Sequence, residues 1–145
     1  MNRMIGDLRS DLTTDRTGTL KRILSFFKEH LEPHAKWEEE VLYPAVDRRA
    51  GSLPQRPFTA TMRYEHRVVE RWIGELSREA SRPKPDLPAF ARQADRLLGL
   101  VIAHFEAEEE VLLPVLDATM TPEQFAHELG HHPQAHEPEG ARDHR

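Results

Sequence analysis

The sequence predicts an all-α protein that folds as an up-down antiparallel four-helix bundle with a short or atypical first helix. Apolar residues recur every three or four positions over long stretches, which is the period of an amphipathic helix. Proline-rich segments separate these stretches, and no stretch alternates polar and apolar residues as a half-buried strand does. An antiparallel bundle buries such apolar stripes against one another.

The N-terminal part of the chain gives only a short helical pattern, formed by Ile5, Leu8 and Leu12. Gly18 is expected to interrupt it, and Thr17 or Thr19 to cap the next helix. The stripe of that next helix is Leu20, Ile23, Leu24, Phe27, Leu31, His34, Glu38, Val41 and Leu42. Pro33 is expected to kink this helix or start a new segment, and Pro44 to kink or end it, because proline lacks an amide hydrogen.

Two further long helices are expected after a loop at residues 48–58. Thr59 or Thr61 caps the first, whose stripe is Met62, His66, Val69, Ile73, Leu76 and Ala80. The second follows a proline-rich connector at residues 81–88 and runs from about Ala89 to Asp117, with the stripe Phe90, Ala94, Leu97, Val101, His104, Glu108 and Leu112. Thr121 and Pro122 then begin a short helix that Gly130 stops.

The length of 145 residues fits one domain. We expect residues 1–132 to form the bundle. Residues 133–145 contain histidine but lack apolar periodicity, so we expect a disordered tail there.

The composition argues against several classes of function. Acidic residues outnumber basic ones by 25 to 20, for a net charge of −5, which argues against a nucleic-acid partner. No apolar run approaches the roughly 18 residues of a membrane span, and the N-terminus lacks the apolar core of a signal peptide. We therefore expect no membrane partner and a cytoplasmic location. The chain has no cysteine, which excludes a thiolate nucleophile and a cysteine-held cluster.

A fourteen-residue segment occurs twice in the chain. Residues 34–47 read HAKWEEEVLYPAVD and residues 104–117 read HFEAEEEVLLPVLD, and eight of the fourteen positions are identical. Each copy contains His-x3-Glu, and a spacing of four places two side chains on the same face of a helix.

Five residues with metal-ligating side chains lie on the apolar stripes: His34, Glu38, His66, His104 and Glu108. The glutamates that follow in each copy are expected to face solvent: Glu39, Glu40, Glu109 and Glu110. A buried carboxylate without a partner costs several kcal/mol or becomes neutral. A pair of divalent metal ions explains why two carboxylates and three imidazoles would converge in one core.

These residues carry a resemblance to a known family. His34-x3-Glu38 followed by VLYP, Glu65-His66-Arg67, and His104-x3-Glu108 followed by VLLP resemble the hemerythrin-like, HHE cation-binding family over roughly residues 20–129. The resemblance implies a non-haem di-iron centre, with two iron ions per chain, that binds oxygen, another diatomic or peroxide at an open position.

The resemblance also assigns roles within that centre. His34, His66 and His104 would be terminal ligands, and Glu38 and Glu108 would bridge the ions. Zinc or manganese would also suit such nitrogen and oxygen ligands.

One ligand of the family pattern is missing, because residues 1–19 contain no histidine. Asp11 or Asp15 could substitute for it, or His30 could complete the site from one turn before His34. Alternatively, one ion is absent or under-coordinated, or a partner chain supplies the ligand. A homodimer would also cover the side of the core that a short first helix leaves open.

The aromatic residues are expected to pack in the core or beside the site: Trp37, Trp72, Phe26, Phe27 and Phe105. A tyrosine near a di-iron centre can donate a hydrogen bond or coordinate iron, but core packing is favoured for Tyr43, and Tyr64 is a weaker candidate. The sequence does not separate a carrier from a sensor or an enzyme. The alternative to a di-iron protein is a non-redox metal-binding or regulatory module with an incomplete site.

Overall fold

The computed structural model describes residues 1–51 and 57–130. Within these ranges the regular elements are all helical, as predicted: α1 Asn2–Asp11, α2 Arg16–Phe26, α3 Glu32–Trp37, α4 Tyr43–Arg49, α5 Ala60–Ala80, α6 Leu87–Ala107, α7 Leu113–Thr119 and α8 Pro122–Leu129. Three π-helical turns join some of them: π1 Phe27–Leu31, π2 Glu38–Leu42 and π3 Glu108–Leu112. The predicted tail at residues 133–145 lies outside the described residues.

Two composite helices result from these joins. Helix α2–α4 spans residues 16–49 through π1 and π2, and helix α6–α7 spans residues 87–119 through π3. No helix in the described part of the chain is long and apolar enough to cross a membrane.

The break after the first helix differs from the prediction. Helix α1 already ends at Asp11, and α2 begins at Arg16 with Asp15 as its N-cap, whose carboxylate accepts a hydrogen bond from the Gly18 amide at 3.1 Å. Gly18 therefore lies inside the first turn of α2 and does not interrupt a helix. The threonine cap expected at residue 17 or 19 was wrong, because the aspartate before them satisfies the same free amides.

Prolines explain the three π-helical turns. Pro33, Pro44 and Pro114 each lie two residues after the end of such a turn. A proline inside an α-helix lacks one hydrogen-bond donor and clashes with the carbonyl four residues earlier. The wider turn avoids the clash by bonding across five residues, as where the Tyr43 amide donates to the Glu38 carbonyl. Pro33 and Pro44 therefore widen helix α2–α4 without ending it.

The N-caps of α5 and α8 lie at predicted residues, whereas α6 begins at Leu87 behind Asp86, which the sequence analysis did not predict as a cap. Thr59 is the N-cap of α5, and its amide and hydroxyl both donate to the Asp47 carboxylate at 2.9 Å. This contact attaches the start of α5 to the end of helix α2–α4. Thr121 caps α8 and forms a reciprocal capping box with Gln124.

The core consists of two apolar clusters with a polar layer between them. Leu31, Leu76 and Val101 belong to the first cluster. Leu42, Met62 and Leu112 belong to the second. The five histidines and glutamates of the apolar stripes lie between these residues along their helices, so each cluster closes one end of the polar layer.

Helix α1 covers only the first cluster. Its ten residues span about 15 Å, whereas His34 lies 18 residues beyond the start of α2, or about 27 Å. Arg9 in α1 forms an ion pair with Asp95 of α6 at 2.6 Å, well before the level of His104. The short first helix therefore contributes packing to one end of the bundle and does not reach the polar layer.

Candidate metal centre

All five predicted ligand residues come together in the polar layer. His34 comes from α3, His66 from α5 and His104 from α6, while Glu38 and Glu108 are the first residues of π2 and π3. Each side chain is buried, and Glu38 is only 1% exposed. Their ligand atoms form two groups of three that share one carboxylate, His34–Glu38–Glu108 and Glu38–His66–His104.

The distances within these groups are those of neighbouring ligands around an ion. Glu38 Oε1 lies 3.4 Å from both His34 Nε2 and His66 Nε2, and 4.0 Å from His104 Nε2. The Nε2 atoms of His66 and His104 are 3.1 Å apart. Between the two groups, Glu108 Oε1 approaches His104 Nε2 to 2.7 Å.

Two buried polar side-chain atoms of the described residues have no hydrogen-bond partner. They are Glu108 Oε1, which is close to His104 Nε2 without hydrogen-bond alignment, and His104 Nδ1. Leaving such an atom unpaired in the interior costs about 1–3 kcal/mol. A cation between the two groups would satisfy the free carboxylate oxygen, so the residues present fit a metal ion.

A family comparison agrees with this geometry. The family model described as hemerythrin HHE cation binding domain matches residues 1–116, and it matches again over residues 58–137. The chain belongs to the hemerythrin HHE family. Both matches include the His-x3-Glu pair of His104 and Glu108. No curated protein and no solved structure is similar enough to the chain to count as a match.

The residues considered as replacements for the missing HHE histidine lie elsewhere. Asp11 forms an ion pair with Arg22 at 3.0 Å, and Asp15 caps α2, so both are at the end of the bundle covered by α1. The side chain of His30 packs on the ring of Phe26, with the ring centroids 5.5 Å apart, and belongs to neither ligand group. None of the three completes the site in this structure.

A second set of carboxylates contacts the outer nitrogens of the histidines. Glu39 Oε1 lies 3.0 Å from His66 Nδ1, and Glu65 Oε2 lies 3.5 Å from His104 Nδ1. Arg63 in turn donates to Glu39 at 2.9 Å. A carboxylate partner of this kind orients a metal-binding imidazole and fixes which nitrogen carries the proton, as Glu39 does for His66. Glu65 is close to His104 Nδ1 without forming a hydrogen bond.

The expectation that Glu39 faces solvent was wrong. Successive helical residues are about 100° apart, so the residue after Glu38 points to one flank of the ligand stripe. That flank faces α5 and its histidine, which periodicity within one helix does not reveal. The other three glutamates are exposed as predicted: Glu40, Glu109 and Glu110.

The two tyrosines of the chain occupy opposite environments. Tyr43 is completely buried, and its hydroxyl contacts the ligand cluster, so core packing is an incomplete account of it. Tyr64 is 56% exposed and lies beneath the Arg67 guanidinium. The ring of Phe105 packs edge-on against His34 at 5.4 Å, which confirms an aromatic contact beside the site.

The buried titratable groups of the site shift one another's pKa values. Burial alone would raise the pKa of Glu38, but the imidazoles of His104, His66 and His34 around its carboxylate outweigh burial and lower the pKa to about 2. Burial alone would lower the pKa of His66, but the hydrogen bonds and charges of Glu38 and Glu39 raise it. Burial and the charge of Glu38 raise the pKa of the Tyr43 phenol. Glu38 is therefore ionised throughout the physiological range.

A cavity of about 410 Å³ reaches the cluster from outside the bundle. Its apolar wall consists of Phe27, Leu31, Val69, Ile73, Val101 and Phe105. Four of the candidate ligands also line it: His34, Glu38, His66 and His104. The exposed charged residues Glu32, Lys36, Glu40 and Glu70 also line the cavity, as do Ala35 and Glu39. A small molecule could thus reach the candidate ligands along an apolar wall.

The affinity for metal should decrease as the pH is lowered through the raised pKa of His66. The imidazole must lose its proton before Nε2 can bind a cation, and the raised pKa keeps more of His66 protonated at neutral pH than an ordinary histidine. Below that pKa, the apparent affinity should fall about tenfold per pH unit for this one proton. Competition with a chromophoric chelator between about pH 6 and about pH 8 measures the curve.

Glu39 and Glu40 provide matched variants for this pH curve. Glu39→Gln removes the carboxylate beside His66 Nδ1, so the curve should move to lower pH, whereas Glu40→Gln should leave it in place. In the metal-free protein, the stabilisation of the fold by protonated His66 is fully present below pH 6.5. It is lost as the pH rises through the raised pKa of His66. If the Glu39→Gln curve coincided with the wild-type curve, Glu39 would not set the pH dependence of metal affinity through His66.

Proposed function

We propose that this chain is a non-haem di-iron protein that binds, senses or processes oxygen or a related small ligand at the polar layer of its bundle. The observation that carries the proposal is the pair of buried ligand groups that share Glu38. A shared carboxylate is how two ions are held next to each other in a carboxylate-rich bundle core. The unpaired Glu108 oxygen and the membership of the HHE family support the same interpretation.

The nature of the cavity supports a small ligand. An iron pair supplies open coordination positions and a change of oxidation state. The chain supplies an apolar wall that admits a small neutral molecule, and buried imidazoles held by outer carboxylates. Oxygen, another diatomic and peroxide all fit a cavity of this volume. A cytoplasmic location and a homodimer remain predictions of the sequence.

Elemental analysis of protein purified without a histidine tag tests the proposal. We expect two iron ions per chain and a near-ultraviolet to visible spectrum that changes when oxygen is admitted to the reduced protein. Iron is one of several metals that mixed nitrogen and oxygen ligands accept, so zinc and manganese are measured in the same samples.

The alternative function is a non-redox metal-binding or regulatory module. The absence of a first-helix histidine favours it, because the His34–Glu38–Glu108 group then has a single imidazole. A chain that retains zinc, or at most one metal ion after anaerobic reconstitution with ferrous iron, would contradict the di-iron proposal and favour this module.

A further inference from the structure

The hydroxyl of Tyr43 lies among the candidate ligands, although nothing in the HHE pattern assigns it a role. Its oxygen is 3.1 Å from His66 Nε2, 3.2 Å from His104 Nε2 and 3.3 Å from Glu38 Oε2. These three partners are the members of one of the two ligand groups. The phenol oxygen is thus a fourth donor beside that group.

We propose that Tyr43 is itself a metal ligand, whose phenolate oxygen binds the same ion as Glu38, His66 and His104. This assignment rests on the proposed function, because it requires an ion in that group. It adds an oxygen donor to the group that already holds two imidazoles, and leaves the His34 group with three donors.

The spacing of the four donors matches a coordination shell. Ligands that bind an ion tetrahedrally at about 2.0–2.1 Å lie about 3.3–3.4 Å from one another. The phenol oxygen is 3.1–3.3 Å from its three neighbours, and the Nε2 atoms of His66 and His104 are 3.1 Å apart. The carboxylate of Glu38 fits less closely, because its Oε1 atom lies 3.4 Å from His66 Nε2 and 4.0 Å from His104 Nε2, so an ion among the four side chains would draw Glu38 and His104 together.

A cation would compete with hydrogen bonds for the same atoms of this cluster. The phenol has one proton, which it donates to Glu38 Oε2, and its oxygen faces both Nε2 atoms, whose donor or acceptor roles depend on the tautomer of each ring. A cation among these atoms would replace the protons that they share and would be bound by all four side chains. Binding breaks the O–H bond, and the proton leaves to solvent.

The local sequence explains why the hydroxyl reaches the site. In a regular α-helix, five residues would place Tyr43 about 140° around the axis from Glu38. The π2 turn, which bonds the Tyr43 amide to the Glu38 carbonyl, brings the two residues onto one face. In the second copy of the repeat the corresponding residue is Leu113, which is partly buried and packs against the second apolar cluster. Packing at this position therefore does not require a hydroxyl.

Resonance Raman spectroscopy of the iron-loaded full chain tests the assignment. The protein is loaded with ferrous iron under argon, and oxygen is then admitted to oxidise the iron. We expect a visible charge-transfer band whose excitation enhances the ring vibrations of an iron-bound tyrosinate. Tyr43→Phe should abolish both signals while the His34 group still retains iron.

The only other tyrosine of the chain supplies the control. Tyr64→Phe leaves Tyr43 as the sole tyrosine, so both signals should persist in this variant and identify their source even if Tyr43→Phe does not fold. Iron bound without tyrosinate vibrations would overturn the role of Tyr43 and leave the di-iron proposal intact. A wild-type chain that binds no iron would overturn both.

Discussion

Replacing the shared carboxylate should remove both ions at once. Glu38→Gln keeps the shape of the side chain but removes the charge that both ligand groups have in common, so iron should fall from two ions per chain to none. His34 belongs to only one group, so His34→Ala should lose one ion and keep the other. Elemental analysis of each variant after the same anaerobic reconstitution gives the counts.

Glu40→Gln is the matched control for the shared carboxylate. Glu40 lies in the same π-helical turn as Glu38, but its side chain is 62% exposed and belongs to neither ligand group. Its variant should bind as much iron as the wild type. If Glu38→Gln instead lost a single ion, as His34→Ala should, the two groups would not share a carboxylate, and the site would hold its ions independently.

The ligand set could be predicted from sequence because its signal is periodic. His34, Glu38, His104 and Glu108 recur at a spacing of four within apolar stripes, and burial of such a carboxylate demands a partner. The fold class followed from the same stripes. The short first helix was also foreseeable, since the N-terminal part of the chain has only one brief apolar pattern.

The contacts around the ligands were not predictable in the same way. Tyr43 reaches the site because Pro44 induces a π-helical turn, and a count of 3.6 residues per turn assigns it to another face. Glu39 contacts His66 because α5 lies on one particular flank, which is a property of the packing between helices. The cap of α2 was misplaced because Asp15 and two threonines offered equivalent side chains within five residues.

Replacing the second buried glutamate should have opposite effects with and without metal. Glu108 Oε1 is buried without a hydrogen-bond partner, so Glu108→Met should raise the free energy of unfolding of the metal-free protein by about 1–3 kcal/mol. The variant should lose the additional stability that iron gives the wild type, which is about 2.7 kcal/mol for one site at a hundredfold excess of iron over its dissociation constant. Urea unfolding in the presence of a chelator measures the stability without metal, and urea unfolding in the presence of iron measures the stability that iron adds.

The exposed neighbour Glu109 distinguishes this effect from a general gain in hydrophobicity. Glu109 lies one residue away on the solvent side. Glu109→Met should change neither the unfolding free energy of the metal-free protein nor the stability that iron adds. A metal-free Glu108→Met protein that is less stable than the wild type would mean that the contacts of this carboxylate hold the bundle together by themselves. If metal-free Glu108→Met were more stable than the wild type and bound less iron, the buried carboxylate would serve metal binding while destabilising the metal-free bundle.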